Sequence, residues 1–146
     1  MFLSVVDCSI VLLFNCVFFM EGNKKYLQLS DIEAYFVSFS LSNYVWSVIV
    51  YWDYFSKDTV GKQFVKAVDS ISANIAEGFG RYNKKDKIHF YHYSYGSIKE
   101  SLDWNQKAKV RKLLTEAQYD YIYTELDKLP KLTRQLILYT DLHLKH

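Results

Sequence analysis

Apolar side chains recur at intervals of three and four residues in four stretches of the chain, which is the spacing of one face of an α-helix. The first stretch is expected to begin at Ser30, because Ser30-Asp31-Ile32-Glu33 has the form of a capping box. Its expected apolar face consists of Ile32, Phe36, Phe39, Trp46, Ile49 and Phe55. Residues 48–52 are apolar nearly all round, which predicts burial on more than one side and therefore a subunit interface.

The second and third stretches have recognisable start and stop signals. The second is expected to begin near Asp58 and to end at Gly78, which predicts a left-handed cap. Its apolar face consists of Val60, Phe64, Val68, Ile71 and Ile75. Asn83 is the expected cap of the third helix. The apolar face of that helix consists of Ile88, Tyr91, Tyr95, Ile98 and Leu102, and it continues toward Ala108.

The fourth stretch completes a simple architecture. Thr115 followed by Gln118 predicts its start, and Pro130 predicts a kink or a break near Leu129. Its apolar positions are Tyr119, Ile122, Leu126, Leu129, Leu136 and Tyr139. Four amphipathic segments joined by short links predict an all-α fold, an up-down-up-down four-helix bundle, in one domain over residues 20–146.

The first 19 residues are strongly apolar and form a separate leader. A signal peptide is not indicated, because Asp7 is the first charge and no small-residue cleavage site follows. A membrane anchor remains open, since a span needs about 20 apolar residues. The favoured interpretation is that Met20 is the true start and that a membrane is not a partner. A single proline and five glycines give too few turns for a β-sandwich or barrel.

Charge is distributed unevenly along the chain, although the formal net charge is only +2. Residues 81–114 contain nine basic and three acidic side chains, which raises the possibility of an anionic partner such as RNA or DNA. A solvated helix face is the alternative explanation. The candidate nucleic-acid-binding residues are Arg81, Lys84, Lys85, Lys87, Lys107, Lys109, Arg111 and Lys112. Both cysteines lie in the leader, so a disulfide scaffold is excluded and the cytoplasm is the expected location.

Two short motifs are expected to fix the packing of the helices. Asn74, Glu77, Gly78 and Gly80 precede the link to the third helix, and Gly96, Ser97 and Glu100 lie within that helix. Glu77 or Glu100 is expected to accept hydrogen bonds from Arg81 or from the backbone of the link. Gly78 and Gly80 predict a helix stop and a tight turn with positive φ. Gly96 predicts the close approach of another helix, because a mid-helix glycine costs about 1 kcal/mol.

No pattern of residues indicates catalysis or a cofactor. His89 and His92 are three residues apart, but a zinc site needs three or four ligands and the nearby sequence does not supply the others. The serines and carboxylates show no arrangement typical of a nucleophile with its base. We therefore expect a protein that is not an enzyme and that holds no metal and no cofactor.

The segment from Ser70 to Arg81, followed by Gly96-Ser97-Ile98-Lys99-Glu100, resembles the signature of the bacterial 23S rRNA-intervening sequence proteins. Ser72 departs from it, because the family usually has proline there. The resemblance implies a homopentameric ring of four-helix bundles. The accessory variability proteins of diversity-generating retroelements are related to this family. If the chain is like these relatives, the resemblance implies binding to nucleic acid and to a reverse transcriptase. A protein-interaction module without nucleic-acid contact, using Trp46, Trp52 or Trp104, is the second hypothesis.

Overall fold

A computed structural model describes residues 26–144, and four long α-helices account for most of that range. A single 3-10 turn, Leu29–Asp31, leads into helix α1, Glu33–Ile49. Helix α2 is Lys62–Gly80, α3 is Lys84–Val110 and α4 is Glu116–His143. No strand occurs between residues 26 and 144, so the expected all-α class is confirmed.

The four helices form a closed square. Each helix packs mainly against its neighbours along the chain, and α1 also packs against α4, which completes the circuit. The links are short, so consecutive helices run in opposite directions. This confirms the up-down-up-down bundle. It also places the α1–α2 and α3–α4 links at one end, and the α2–α3 link at the other. We call these the α1–α2 end and the α2–α3 end.

The start of α1 differs from the expectation. Ser30 lies in the 3-10 turn, where the Gln28 backbone N–H donates to the Asp31 carboxylate at 2.8 Å, and α1 begins after Ile32. The expected apolar face of α1 is also wrong in part, because Trp46 and Phe55 are exposed. The buried face instead combines three small residues with four larger aliphatic ones: Ala34, Ser38, Ser42, Leu41, Val45, Val48 and Ile49.

The second helical segment begins earlier than the sequence predicts. The Asp53 side chain accepts a hydrogen bond from the Ser56 backbone N–H at 3.0 Å and caps a short turn, Tyr54–Ser56. A π-helical turn, Lys57–Gly61, then leads directly into α2. The expected face of α2 is confirmed, since Val60, Phe64, Val68, Ile71 and Ile75 are all buried.

Both glycines at the end of α2 lie inside the helix, so the predicted left-handed cap at Gly78 is wrong. No described glycine has a positive φ, and the chain leaves the helix at Arg81 with an ordinary extended backbone. The predicted tight turn at Gly80 is wrong for the same reason. Asn83, as expected, caps α3 by accepting from the Lys85 backbone N–H at 3.0 Å.

Helix α4 begins as expected and continues through its proline. Thr115 and Gln118 form a capping box with bonds of 3.2 and 2.9 Å. The predicted break near Leu129 does not occur, because α4 is a single helix on both sides of Pro130. Ile122, Leu126 and Leu129 are fully buried ahead of the proline. Between residues 26 and 144, no helix is both long enough and apolar enough to cross a bilayer.

Candidate interaction surfaces

The structure separates the eight candidate basic residues into two groups at opposite ends of α3. Helix α3 has 27 residues and is therefore about 40 Å long. Lys87 and Lys107 are twenty residues apart along it, which corresponds to about 30 Å. Lys99 is the single basic residue on the helix between them. The basic segment therefore does not form one continuous positive face.

At the α2–α3 end, most of the candidate basic residues are engaged within the chain. Arg81 forms an ion pair with Glu77, and its guanidinium lies 4.6 Å from the centre of the Phe90 ring. The Lys84 ammonium lies 3.1 Å from the Asp141 carboxylate and links α3 to the end of α4. The expected hydrogen bond between Arg81 and Glu77 is confirmed. Both side chains are about half exposed, however, so the pair contributes little to stability.

Lys87 stabilises the end of α2. Its ammonium donates to the backbone carbonyl oxygens of Phe79 at 2.6 Å and Gly78 at 3.4 Å. The Phe79 carbonyl lies in the last turn of α2, where the helix supplies no donor for it, whereas the Gly78 carbonyl also accepts from the Arg81 backbone N–H at 3.2 Å. The negative end of the helix dipole favours a cation at this position. Burial lowers the pKa of Lys87. Among the four basic residues at this end, Lys85 alone has a side chain with no partner in the described chain.

At the α1–α2 end, two of the four basic residues are paired and two are not. Lys107 forms an ion pair with Asp103, and Lys109 lies 2.6 Å from Glu116. The hydrogen bond to Glu116 raises the pKa of Lys109. Arg111 and Lys112 have no acidic group within ion-pair distance in residues 26–144. Lys112 also has a left-handed backbone with φ of 58°, which turns the chain out of α3.

The motif residues on α2 have different roles. The Asn74 amide donates to the Ser70 carbonyl oxygen at 2.7 Å, within the same helix. Gly78 lies directly against Tyr91 of α3, because a Cβ there would be 2.6 Å from a ring carbon. A Cβ at Gly80 would meet nothing within 4 Å. The close helix approach that the sequence predicts for Gly96 is therefore found at Gly78.

The motif residues on α3 face outward or bond locally. A Cβ at Gly96 would meet nothing within 4 Å, so the predicted approach of another helix does not occur within the described chain. The Ser97 hydroxyl donates to the Tyr93 carbonyl oxygen at 3.1 Å, and Ser97 accepts from Ser101 at 2.8 Å. Glu100 accepts from the Trp104 indole N–H at 3.4 Å. These contacts stay within α3.

A cluster of exposed aromatic and aliphatic side chains lies where α1 turns into α2. We call it the corner patch, and it consists of Trp46, Val50, Tyr51, Tyr54 and Phe55. Tyr51, Tyr54 and Phe55 are 88%, 82% and 74% exposed. The all-round apolar character of residues 48–52 indicated this region in the sequence, whereas Trp52 and Trp104 pack against the core.

Beside the corner patch, an open groove of about 550 Å³ runs between α1 and the outward side of α2. Helices α1 and α2 approach closely at its floor, where a Cβ at Gly61 would lie 2.7 Å from the Ile49 side chain. The groove is lined by Trp46, Ile49, Val50, Lys57, Gly61, Lys62, Val65, Lys66, Asp69, Ser70 and Ala73. It therefore combines an apolar floor with positively charged edges.

The two histidines considered as metal ligands do not belong to a metal-binding cluster. His89 is hydrogen-bonded to the Tyr93 hydroxyl at 2.6 Å. Within the described residues, no group of three or more His, Cys, Asp or Glu side chains is arranged to hold a metal ion. The exposed groove and the basic side chains without ion-pair partners are therefore the surfaces best suited to bind a partner.

Comparison with known proteins identifies the family. A crystal structure of a protein with unknown function from the S23 ribosomal protein family of Bacteroides thetaiotaomicron is similar, with a TM-score of 0.64 and 19% identity over 71% of this chain and 97% of that chain. At that identity the likeness supports the fold alone. No significant match occurs among curated proteins. The family model of the 23S rRNA-intervening sequence proteins matches residues 30–135. Since this match covers most of the sequence, the chain belongs to the 23S rRNA-intervening sequence protein family.

Proposed function

We propose that this chain is a non-catalytic assembly module that forms a ring of five copies in the cytoplasm. The observation that carries the proposal is the corner patch, in which five large apolar side chains within ten residues are exposed. Soluble monomers rarely expose contiguous apolar surface of this kind, because its contact with water is unfavourable. Covering the patch with a second copy removes that cost. The number of five copies is taken from what the resemblance to this family implies.

The mass of the protein in solution tests this function. Light scattering coupled to size-exclusion chromatography should give five times the mass of one chain at micromolar concentration. Tyr54→Ser with Phe55→Ser should lower that mass, because both side chains are more than 70% exposed and contribute to assembly and not to the core. Tyr82→Ser with Leu142→Ser is the matched control, since these exposed residues lie at the α2–α3 end. A wild-type protein that remains a single chain would disprove the proposal.

Nucleic-acid binding is a second candidate function, and the unpaired Arg111 and Lys112 favour it. They lie beside Lys107 and Lys109 at the α1–α2 end of α3. A ring of bundles would repeat this positive cluster once per subunit on one rim, where it would attract the phosphates of RNA or DNA. The opposite group of basic residues supports the idea less, since Arg81, Lys84 and Lys87 are engaged within the chain.

A gel-shift titration with single-stranded RNA and duplex DNA tests the second candidate. Binding should weaken steeply as salt rises, because each neutralised phosphate releases counterions. Arg111→Glu with Lys112→Glu should abolish the shift. Lys131→Glu with Arg134→Glu changes the net charge by the same amount, but on the exposed side of α4, and should leave the gel shift intact. A wild-type protein with no shift at low salt would exclude nucleic-acid binding.

A protein partner is the alternative to a nucleic-acid partner, and a reverse transcriptase is the one implied by the related retroelement proteins. The exposed indole of Trp46 supports a protein contact of this type. A purified partner that is captured equally well before and after nuclease treatment would favour it. Loss of capture after nuclease treatment would favour the nucleic-acid function instead.

A further inference from the structure

The groove between α1 and α2 has the character of a docking site for an acidic helix. Trp46, Val50 and Val65 supply apolar lining, and three lysines surround it. Lys66 has no ion-pair partner in the described chain, and the Lys62 ammonium is 4.0 Å from Asp58, the limit for an ion pair. Lys57 donates to the Val50 carbonyl oxygen at 3.2 Å, at the end of α1. Asp69 is the one acidic side chain in the lining, so the groove has an excess of positive charge.

Helix α4 carries a surface of the opposite sign. Glu116, Asp120, Tyr123 and Asp127 follow one another at intervals of four, three and four residues, so they form one stripe along the helix. We call this the acidic stripe. It points away from the core, because Ile122, Leu126 and Leu129 bury the other side of α4.

The acidic stripe has side chains available for a partner. Tyr123 is 46% exposed and stands between the two aspartates. Within residues 26–144, neither Asp120 nor Asp127 has a basic side chain within ion-pair distance. Of the three acidic residues in the stripe, Glu116 alone is ion-paired, with Lys109, and the Tyr123 ring stacks on Tyr119 with the ring centres 6.0 Å apart.

We propose that the acidic stripe of one copy docks into the groove of the next copy. The proposal rests on the self-assembly proposed above and names the two surfaces that carry it. Tyr123 enters the apolar lining beside Trp46, while Asp120 and Asp127 meet the lysines at the edges. The two rows of charge have similar lengths, since Asp120 to Asp127 spans about 10 Å and Lys57 to Lys66 about 13 Å of helix.

The positions of the two surfaces determine the type of assembly. The groove lies on α1 and α2, whereas the acidic stripe lies on α4, which is diagonally opposite α2 in the square. Two different surfaces that pair with each other form a head-to-tail contact, and head-to-tail contacts generate rings or filaments, in contrast to a two-fold dimer. A contact of this type, repeated from copy to copy beside the corner patch, is therefore compatible with a ring.

Charge reversal on each surface tests the pairing in the full chain. Lys62→Glu with Lys66→Glu, and separately Asp120→Lys with Asp127→Lys, should each raise the dissociation constant of assembly roughly 100-fold or more, because like charges would then face each other. All four residues are exposed, so helicity measured by circular dichroism should not change. Lys85→Glu with Lys99→Glu on α3 is the matched control and should leave the mass unchanged.

Mixing the two variants gives the decisive result. The acidic stripe of the lysine variant matches the unchanged groove of the aspartate variant. The other junction pairs a reversed stripe with a reversed groove, which are again opposite in charge, so the mixture should form complexes heavier than one chain that contain the two variants in equal numbers. Combining all four substitutions in one chain should restore assembly. An oligomeric wild type whose mass neither pair of substitutions changes, or only one pair changes, would overturn the pairing while self-assembly stands. A monomeric wild type would overturn both.

Discussion

The ring of Tyr91 occupies the space that a side chain at residue 78 would need. A Cβ built on Gly78 would lie 2.6 Å from Cε1 of Tyr91, 2.9 Å from Cδ1 and 3.0 Å from the Lys87 carbonyl oxygen. Tyr91 is itself only 2% exposed, so the ring has little room to move aside. The absence of a side chain at residue 78 therefore allows α2 and α3 to approach each other beside the buried tyrosine.

Gly78→Ala should lower the free energy of unfolding by about 1–3 kcal/mol, the usual cost of overpacking a core. Gly80→Ala is the matched control two residues away. It should be neutral or stabilising by up to about 1 kcal/mol, because alanine favours helix and a Cβ there meets nothing within 4 Å. Urea denaturation of both variants measures the difference. If the two variants had the same free energy of unfolding, the Tyr91 ring would be able to move aside without destabilising the protein, and the prediction would be wrong.

Tyr91 should make the protein sensitive to alkali. Burial raises the pKa of Tyr91 above its ordinary value of 10.0, and hydrogen bonding with Thr140 offsets part of that rise. The folded state therefore keeps the phenol proton longer than the unfolded chain. The resulting stability is fully present below pH 10 and is lost as the pH rises through the folded pKa.

Urea denaturation at a series of pH values from 8 upward should show this loss. Tyr91→Phe should weaken the decrease in the free energy of unfolding with rising pH, because phenylalanine has no proton to release. At pH 8 this variant should be less stable than the wild type, because it lacks the hydrogen bond with Thr140. Tyr82→Phe, at a position 94% exposed, should leave the profile as in the wild type. A Tyr91→Phe profile as steep as that of the wild type would contradict the prediction.

Lys87 should contribute to stability, although the sequence suggested nucleic-acid binding. Lys87→Met keeps the apolar stem but removes the hydrogen bonds to the Phe79 and Gly78 carbonyl oxygens. We expect a loss of about 1–3 kcal/mol in the free energy of unfolding, because charge-assisted bonds at a helix end are lost. Lys85→Met, whose side chain has no partner in the described chain, should change little. Thermal unfolding of the two variants separates these outcomes.

The helices that the sequence predicts best are those with a single apolar face. Large apolar residues of α2 repeat at intervals of three and four, and every expected core position there is buried. Helix α1 is different, because its core side mixes small residues with aliphatic ones and its aromatic residues are partly buried or exposed. Ala34, Ser38 and Ser42 are buried, while Trp46 is 59% exposed. Hydrophobic spacing therefore found the aliphatic core positions at the two ends of this segment, but it missed the small core residues between them and wrongly included Trp46.

The roles of glycines and basic residues depend on partners that are distant in the sequence. Gly78 could be a helix stop or a packing site, and only the position of Tyr91 decides between them. In the same way, the charge of Lys84 is balanced by Asp141, which lies 57 residues further along the chain. The net charge of a segment cannot detect such pairing. It also adds together basic residues that lie at opposite ends of a helix about 40 Å long.

Gly96 provides a test of which side of the bundle is covered by another copy. Gly96→Ala should raise the free energy of unfolding by about 1 kcal/mol, because alanine favours the middle of a helix and a Cβ there meets nothing within 4 Å. Gly96→Leu should fold equally well. Neither variant should change the oligomeric mass, since the proposed contact uses the groove of α1 and α2 and the acidic stripe of α4. If Gly96→Leu stays folded by circular dichroism but loses mass in light scattering, the outward side of α3 is an interface and the proposed pairing is wrong.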